Sequence, residues 1–428
     1  MQQLKPHQQF IVNEDRAMAP IALGTGAGKT VVALSLARYN TLVIMPKQQK
    51  LDETWEKNAK KFGIDINLTT ISKETFRRDW QKLPRYNTLI VDESHTILGM
   101  SPTYVSRKGV KYPKTSQLFD AVDGYIKLHK PARLYFCSGT PIPHPMNLYA
   151  LAKLMGINWN FEKFRERFYV ERKMGFRSIW IEKKDQKSKE LLVTLFKETL
   201  GAFTGQLSDW FDVPDQEHKT VFLELTKEQR QAIAEVKEQE ADPMVARAKI
   251  RCIENGILYT TDVVDINEKE SRMVRKAVHY TSEKLDAIQS LATEHDKIII
   301  FANYTAQIEA IERALLKDKH TVFTLTGATK DRGEVIQKVE DSLKAILVVQ
   351  SSISAGWEIP SCRCVVFASK GWRFVDYNQA LGRNLRLNNI DIANNTYYHL
   401  VVKGGPDYDC HKSILMGEDF HEMIMSNE

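Results

Sequence analysis

Pro20-Ile21-Ala22-Leu23-Gly24-Thr25-Gly26-Ala27-Gly28-Lys29-Thr30-Val31-Val32-Ala33-Leu34-Ser35-Leu36-Ala37 decides the fold. It reads as a short apolar strand, a glycine-rich turn and an apolar helix. Three glycines let backbone amides turn inward on phosphate oxygens, and the following helix aims its positive end at the same anion. In this cradle of Gly24, Thr25, Gly26, Ala27, Gly28, Lys29 and Thr30, Lys29 is placed to reach the outer phosphates of ATP. The Thr30 hydroxyl is placed to bind Mg2+. The strict pattern carries one more glycine, at the position held here by Leu23.

Outward from the cradle, short β-rich apolar segments alternate with longer helical patterns, as in parallel α/β construction. Candidate strands in the first half are Pro20–Leu23, Thr41–Met45, Asn67–Ile71, Thr88–Val91 and Leu134–Cys137. In the second half they are Lys297–Phe301, Val322–Leu325, Ile346–Val349, Val365–Ala368 and Tyr397–Val402. The expectation is two tandem RecA-like doubly wound domains with parallel sheets and a helical insertion. Residues 1–150 form the first lobe, 151–215 a helical and basic insertion with a possible hairpin, and 216–428 the second lobe. Val213-Pro214-Asp215 reads as a joint, and Phe222 to about Glu268 as a long helical lead-in. In such sheets ligands sit at the carboxyl ends of the strands, so the chemistry is sought in the residues that follow them.

Thr88-Leu89-Ile90-Val91 runs directly into Asp92-Glu93-Ser94-His95. A strand ending in paired acids sets one carboxylate beside Mg2+ and a second near the γ-phosphate. Asp92 then holds the metal through its shell, Glu93 polarises the attacking water, and His95 links nucleotide state to a neighbouring motif. Alone, two acids after a strand are often just a loop. Their distance from the phosphate cradle gives them weight.

Of 428 residues, 43% are hydrophobic and 27% charged, which suits a globular chain large enough for two cores. The net charge of +6 and pI near 8.8 suit a polyanion partner, although many basic proteins bind no nucleic acid. No apolar run approaches the roughly 20 residues a bilayer needs, and Met1–Pro6 lacks the core of a secretion signal, so a cytoplasmic address is expected. Cys137, Cys252, Cys362, Cys364 and Cys410 are too scattered for a disulfide framework. Cys362-Arg363-Cys364 reads as strand alternation, with both thiols on one face and Arg363 on the other.

With the cradle and the paired acids in place, the chain resembles superfamily-two helicases, and within them the Swi/Snf-like translocases and their compact phage-encoded relatives. Leu4-Lys5-Pro6-His7-Gln8 resembles the family's opening motif, which implies that Gln8 reads adenine. Leu42–Lys47 followed by Trp55 is similar to the strand and loop that grip one DNA strand. Cys137-Ser138-Gly139-Thr140-Pro141-Ile142-Pro143 resembles the coupling motif, which implies coupling roles for Ser138 and Thr140. Lys297–Tyr304, Leu325–Gly327 and Ser351–Pro360 resemble DNA-tracking and coupling motifs of the second lobe, with Gly356 and Glu358 as its nucleotide contacts. Trp357 and Glu358 depart from the usual aliphatic residue and Asn or Asp. Gln379-Ala380-Leu381-Gly382-Arg383-Asn384-Leu385-Arg386 matches the arginine-finger helix, with Gln379 in coupling.

Phosphoryl transfer spreads charge over the γ-oxygens, which guanidinium groups stabilise. The resemblance therefore makes Arg383 and Arg386 catalytic beside Lys29, Asp92 and Glu93. It implies an ATP- and Mg2+-dependent DNA helicase or translocase, a minimal motor working as a monomer on branched or forked DNA, in the host cytoplasm if phage-encoded. The alternatives are a duplex translocase that displaces proteins without separating strands, and an RNA helicase. Lys47, Ser72, Asn303, Thr326 and Ser352 are implied phosphate-backbone contacts, which carry no sequence information.

Charge points to two further segments. Ser101–Thr115 holds Arg107, Lys108, Lys111 and Lys114 with no acids. Lys163–Glu190 holds ten basic residues against five acidic, with Phe164, Phe168, Tyr169, Phe176 and Trp180 interleaved. Such mixtures can stack bases, or form a packing layer with a charged outer face. Trp372, before the arginine helix, is either a ring that pushes on a strand or a core residue.

Overall fold

The computed structural model describes residues 2–107, 110–174, 177–211, 213, 215–267, 270–353, 356–384 and 394–426; residues 107, 110, 111, 174, 177, 262–267 and 270–275 are described by backbone alone. The chain divides into one unit of residues 1–211 with 419–428 and a second of residues 212–418.

In the first unit α1 (Pro6–Asn13) leads into β1 (Met18–Leu23), α2 (Lys29–Leu36), β2 (Asn40–Met45), α3 (Lys47–Leu51), α4 (Thr54–Phe62) and β3 (Asn67–Ser72). Next come α5 (Lys73–Asp79), β4 (Thr88–Val91), the hairpin β5–β6 (Met100–Arg107 and Val110–Thr115), α6 (Gln117–His129) and β7 (Arg133–Cys137). The unit continues through α7 (Pro145–Leu154), α8 (Phe161–Phe168), the hairpin β8–β9 (Tyr169–Met174 and Arg177–Glu182), α9 (Gln186–Thr194) and β10 (Phe203–Gly205). Six strands pair in parallel in the order β10-β1-β7-β4-β2-β3.

All five strands expected in this half are present. The sixth, β10, lies against β1 with Phe203 opposite Ile21. The largely helical stretch 151–211 thus also supplies the sheet's edge. Three residues carry no readable periodicity, and only the open side of β1 makes them a strand. Phe164, Phe168 and Tyr169 are buried in the core of this unit. Of the aromatics read as possible base stackers, these three take the packing role; Phe176 lies outside the described residues.

The second unit opens with β11 (Gln216–Leu223), α10 (Lys227–Gln239), α11 (Pro243–Glu254) and the hairpin β12–β13 (Ile257–Asn267 and Glu270–His279). It continues with α12 (Glu283–Glu294), β14 (Lys297–Ala302), α13 (Thr305–Lys317), β15 (Val322–Leu325), α14 (Arg332–Asp341), β16 (Ala345–Gln350) and β17 (Cys364–Phe367). Then come α15 (Phe374–Leu381), β18 (Asn395–Val402) and α16 (Pro406–Met425). The parallel order is β11-β18-β17-β14-β16-β15. The two sheets make the chain a tandem of RecA-like α/β domains.

Alternation fills both faces of the second sheet. Ile299, Phe301, Leu347, Val349, Val365 and Phe367 enter one core, and Ile298, Ile300, Ile346, Val348 and Val366 the other. Cys362 falls in the first core and Cys364 in the second, so the two thiols do not share a face. The strand begins only at Cys364, and the turn before it breaks the alternation. No disulfide joins any of the five cysteines.

The supposed helical lead-in is also partly sheet. Strand β11, mostly exposed, pairs with β18 over all eight of its residues, the last two of which, Phe222 and Leu223, open that stretch. Beyond α11 the chain turns back as β12–β13, a two-stranded ribbon apart from the main sheet. Among the described residues no helix is long and apolar enough to cross a membrane.

Candidate nucleotide and nucleic-acid site

Because β1, β7 and β4 are neighbours, three segments far apart in sequence come together at their carboxyl ends. The cradle between β1 and α2 holds Gly26 at φ +82° and Gly28 at φ +91°. A Cβ on Gly28 would stand 2.2 Å from Nε2 of Gln8, and its left-handed φ favours glycine where the cradle meets the opening motif. The Gln8 Nε2 amide donates to the Ala27 carbonyl at 3.3 Å, and Nε2 of His7 lies 3.0 Å from the same oxygen. His7 stacks on Trp210 at 4.1 Å between ring centres. Gly24 N donates to Gly205 O at 2.8 Å, which ties the cradle to β10.

The Lys29 ammonium donates to the carbonyls of Leu23 (2.8 Å) and Gly24 (3.2 Å), and the Cβ position of Gly139 lies 3.5 Å from it. Thr25 and Thr30 flank it, both partly buried. His421, from the carboxyl-terminal part of this unit, has its pKa lowered to about 4, by burial first and by Lys29 second.

Asp92 is 5% exposed. Its Oδ1 accepts from Glu93 N at 2.9 Å, and its Oδ2 from the indole Nε1 of Trp55 at 3.3 Å. Burial raises its pKa, as does Glu93 beside it; Lys73 and Lys29 oppose the rise. Glu93 turns through a left-handed φ of +45°, which kinks the chain just past the strand. Lys73, buried on α5, donates to Glu93 O at 2.9 Å and to Thr96 Oγ1 at 2.5 Å. Burial lowers the pKa of its ammonium to about 8 despite Glu93 and Asp92. His95 lies with Nδ1 2.8 Å from Ser138 Oγ, 3.4 Å from Glu93 Oε2 and 3.5 Å from Thr140 Oγ1. Ser138 Oγ in turn accepts from Thr140 N at 3.0 Å. The acid loop and the segment after β7 thus share one polar chain.

This donor set fits ATP with Mg2+: a glycine-rich turn, the Lys29 ammonium beside the carbonyls of Leu23 and Gly24, and a buried Asp92 whose pKa is raised first by burial and then by the neighbouring Glu93. Thr30 and Asp92 are the residues that would hold the ion.

Lys47 lies just past β2 and Ser72 ends the paired strand β3, with Met45 opposite Ser72 in register. Lys47 is exposed. Ser72 is 7% exposed, and its hydroxyl already caps α5 by accepting from Thr75 N at 3.2 Å. Trp55, grouped with them by sequence, is fully buried behind Asp92, so it grips no strand. Lys114 lies on the hairpin β5–β6, while the side chains of Arg107 and Lys111 and all of Lys108 fall outside the described residues.

In the second unit Asn303, Thr326, Ser352 and Trp372 follow β14, β15, β16 and β17, so all four line one carboxyl edge. Trp372 is 47% exposed and is not core. Gly356 adopts φ +87°, and Glu358 beyond it is exposed. Trp357 is buried, its indole donating to Ile353 O at 2.7 Å. Gln379 lends its carbonyl to Arg383 Nε at 2.7 Å. Arg383, read as a finger, is 6% exposed and also donates from Nη1 to Trp357 O at 2.6 Å. Arg386 lies outside the described residues.

Residues 283–388 match the helicase conserved C-terminal domain. The match takes in Asn303, Thr326, Ser352, Gly356, Glu358, Trp372, Gln379, Arg383 and Arg386. A stretch of 143 residues, 33% of this chain, is 24% identical to the ATP-dependent RNA helicase DBP3 of Eremothecium gossypii. The similarity covers 25% of that relative's length.

Trp55 and Lys73 were not legible as parts of this site, and neither was His421. Each reaches it through tertiary packing, and no local spacing marks them.

Proposed function

We propose that the chain is an ATP-dependent DNA helicase or translocase of Swi/Snf-like, compact phage type, acting as a monomer in the cytoplasm on branched or forked DNA. The observation that carries the motor reading is the convergence of Lys29, Asp92, Glu93, His95 and Ser138 at neighbouring strand ends of one sheet, in a chain that also carries the helicase C-terminal domain.

On this reading the cradle amides and Lys29 bind the phosphates of ATP, Gln8 reads adenine, and Glu93 orients the attacking water. Thr30 and Asp92 would hold Mg2+, which would supply charge neutralisation at the phosphates. Hydrolysis relaxes the His95–Ser138–Thr140 chain, which passes nucleotide state to the nucleic-acid side. Gly356 and Glu358 serve as second-unit nucleotide contacts and Gln379 as a coupling residue. Arg383 and Arg386 act as catalytic arginines once Arg383 leaves the Trp357 carbonyl. Lys47, Ser72, Asn303, Thr326 and Ser352 hold the phosphate backbone.

Similarity to an ATP-dependent RNA helicase favours a second reading, in which the track is RNA. Strand displacement on forked DNA, plain DNA duplex and RNA duplex of matched sequence separates the two. Displacement of forked DNA but not RNA supports the first. RNA unwinding alone replaces it with the second. ATP-driven removal of a bound protein from plain duplex, with no strand release, makes the chain a duplex translocase.

A further inference from the structure

Trp372 stands in the loop between β17 and α15, and nearly half of its indole faces solvent, where so large an apolar ring is usually covered. Two guanidiniums from α11 lie against it: Arg251 at 4.9 Å and Arg247 at 5.9 Å from the ring centre. Arg251 is 5% exposed and fixed, donating to the Lys370 carbonyl and, at 3.1 Å, to Cys410 Sγ. Its Nε finds no acceptor among the described residues. Arg247 reaches the surface, paired to Asp409 at 2.7 Å. Arg373, the next residue, is exposed and lies 3.6 Å from Asp376. Gly371 packs near Asn303, with a Cβ position 3.7 Å from its Oδ1, so the indole adjoins a proposed backbone contact.

We propose that Trp372 is a stacking platform for an unpaired nucleobase, with Arg251 fixing the indole and Arg247 pairing with the adjoining phosphate. The assignment rests on the nucleic-acid reading of this edge and adds to it a grip on the base itself. Every base has a π-face, so the platform is indifferent to sequence. It needs that face exposed, which a paired and stacked base does not offer. Arg251 draws the ring into a cation–π contact and holds it in place. Arg247 must exchange Asp409 for a phosphate, so its contribution is sensitive to salt.

The test is equilibrium binding of the full chain to a fluorescein-labelled single-stranded DNA of mixed sequence and to the same strand with a run of abasic sites. Wild type, Trp372→Ala, Trp372→Phe and Arg247→Ala are compared at several salt concentrations, with thermal unfolding confirming that each variant is folded. The platform predicts that abasic sites weaken wild-type binding by roughly tenfold to a hundredfold. Trp372→Ala should lose about as much on the intact strand and be indifferent to abasic sites, while Trp372→Phe recovers most of the affinity. Arg247→Ala should lower the slope of log affinity against log salt by about 1, and Trp372→Ala should leave it unchanged. Equal wild-type affinity for intact and abasic strands overturns the proposal while leaving the motor reading intact. A wild-type chain that binds no nucleic acid overturns both.

Discussion

The indole Nε1 of Trp55 donates to Oδ2 of Asp92 across 3.3 Å, and both side chains are shut away from solvent. With Oδ1 taken by Glu93 N, the carboxylate that follows β4 is held by both oxygens before any nucleotide arrives. A buried acceptor fixed in this way loses less orientational freedom when it engages a metal shell.

Trp55→Phe keeps most of the ring and removes the donor. The expected result is a stability loss of about 1–2 kcal/mol, as one hydrogen bond to a charged acceptor is lost. The ATPase kcat should fall by about tenfold, with a higher Mg2+ requirement. Chemical denaturation and a Mg2+ titration of the steady-state rate measure the two. An unchanged Mg2+ dependence would mean that the indole merely packs.

Gly28→Ala places a methyl 2.2 Å from Gln8 Nε2 at a φ of +91°. Strain of about 1–3 kcal/mol is expected, concentrated in the cradle. ATP affinity, measured by isothermal titration, should fall at least tenfold, more than the melting temperature of the first unit suggests.

The polar chain from Glu93 through His95 to Ser138 spans two strand ends. Ser138→Ala removes the hydroxyl at its far end. ATP hydrolysis with and without nucleic acid should then converge, the stimulation ratio falling by about tenfold. A ratio equal to wild type would place coupling elsewhere.

A pH dependence belongs to the second unit. Glu254 is 1% exposed and accepts from Asp407 N at 2.8 Å; burial raises its pKa to about 7. A carboxyl raised above its unfolded value stabilises the fold while protonated, so its contribution is complete below about 4.5 and lost as pH rises through about 7. Lys370 runs the other way: burial lowers it to about 7, so its contribution is complete above 10.5 and lost as pH falls through 7. Glu254→Gln should therefore flatten the decline in thermal stability between pH 4.5 and 7, by at most a few kcal/mol. A decline unchanged in the variant would assign the titration to another group.

What was legible was contiguous. The cradle from Gly24 to Thr30, the acids after Val91 and the strand ends bearing Asn303 and Ser352 could be read because a strand and its following loop form one short segment. What escaped depends on pairing across distance. Strand β10 exists because β1 has an open side, and β11 because β18 does, despite a run of Glu217, His218 and Lys219. The ribbon β12–β13 carried a signal in Thr260, Thr261, Val263 and Val264 that helical periodicity upstream obscured. Trp55 was placed with the strand-gripping loop because it follows Lys47, yet α4 turns it inward onto Asp92.

The most direct test of the motor reading is steady-state ATP hydrolysis by the purified chain, alone and with single-stranded DNA, duplex, forked DNA and RNA, beside Lys29→Ala. The account predicts strong stimulation by nucleic acid, greatest with forked DNA, and its disappearance in the variant. A rate indifferent to every nucleic acid would contradict it and leave an ATPase with another client.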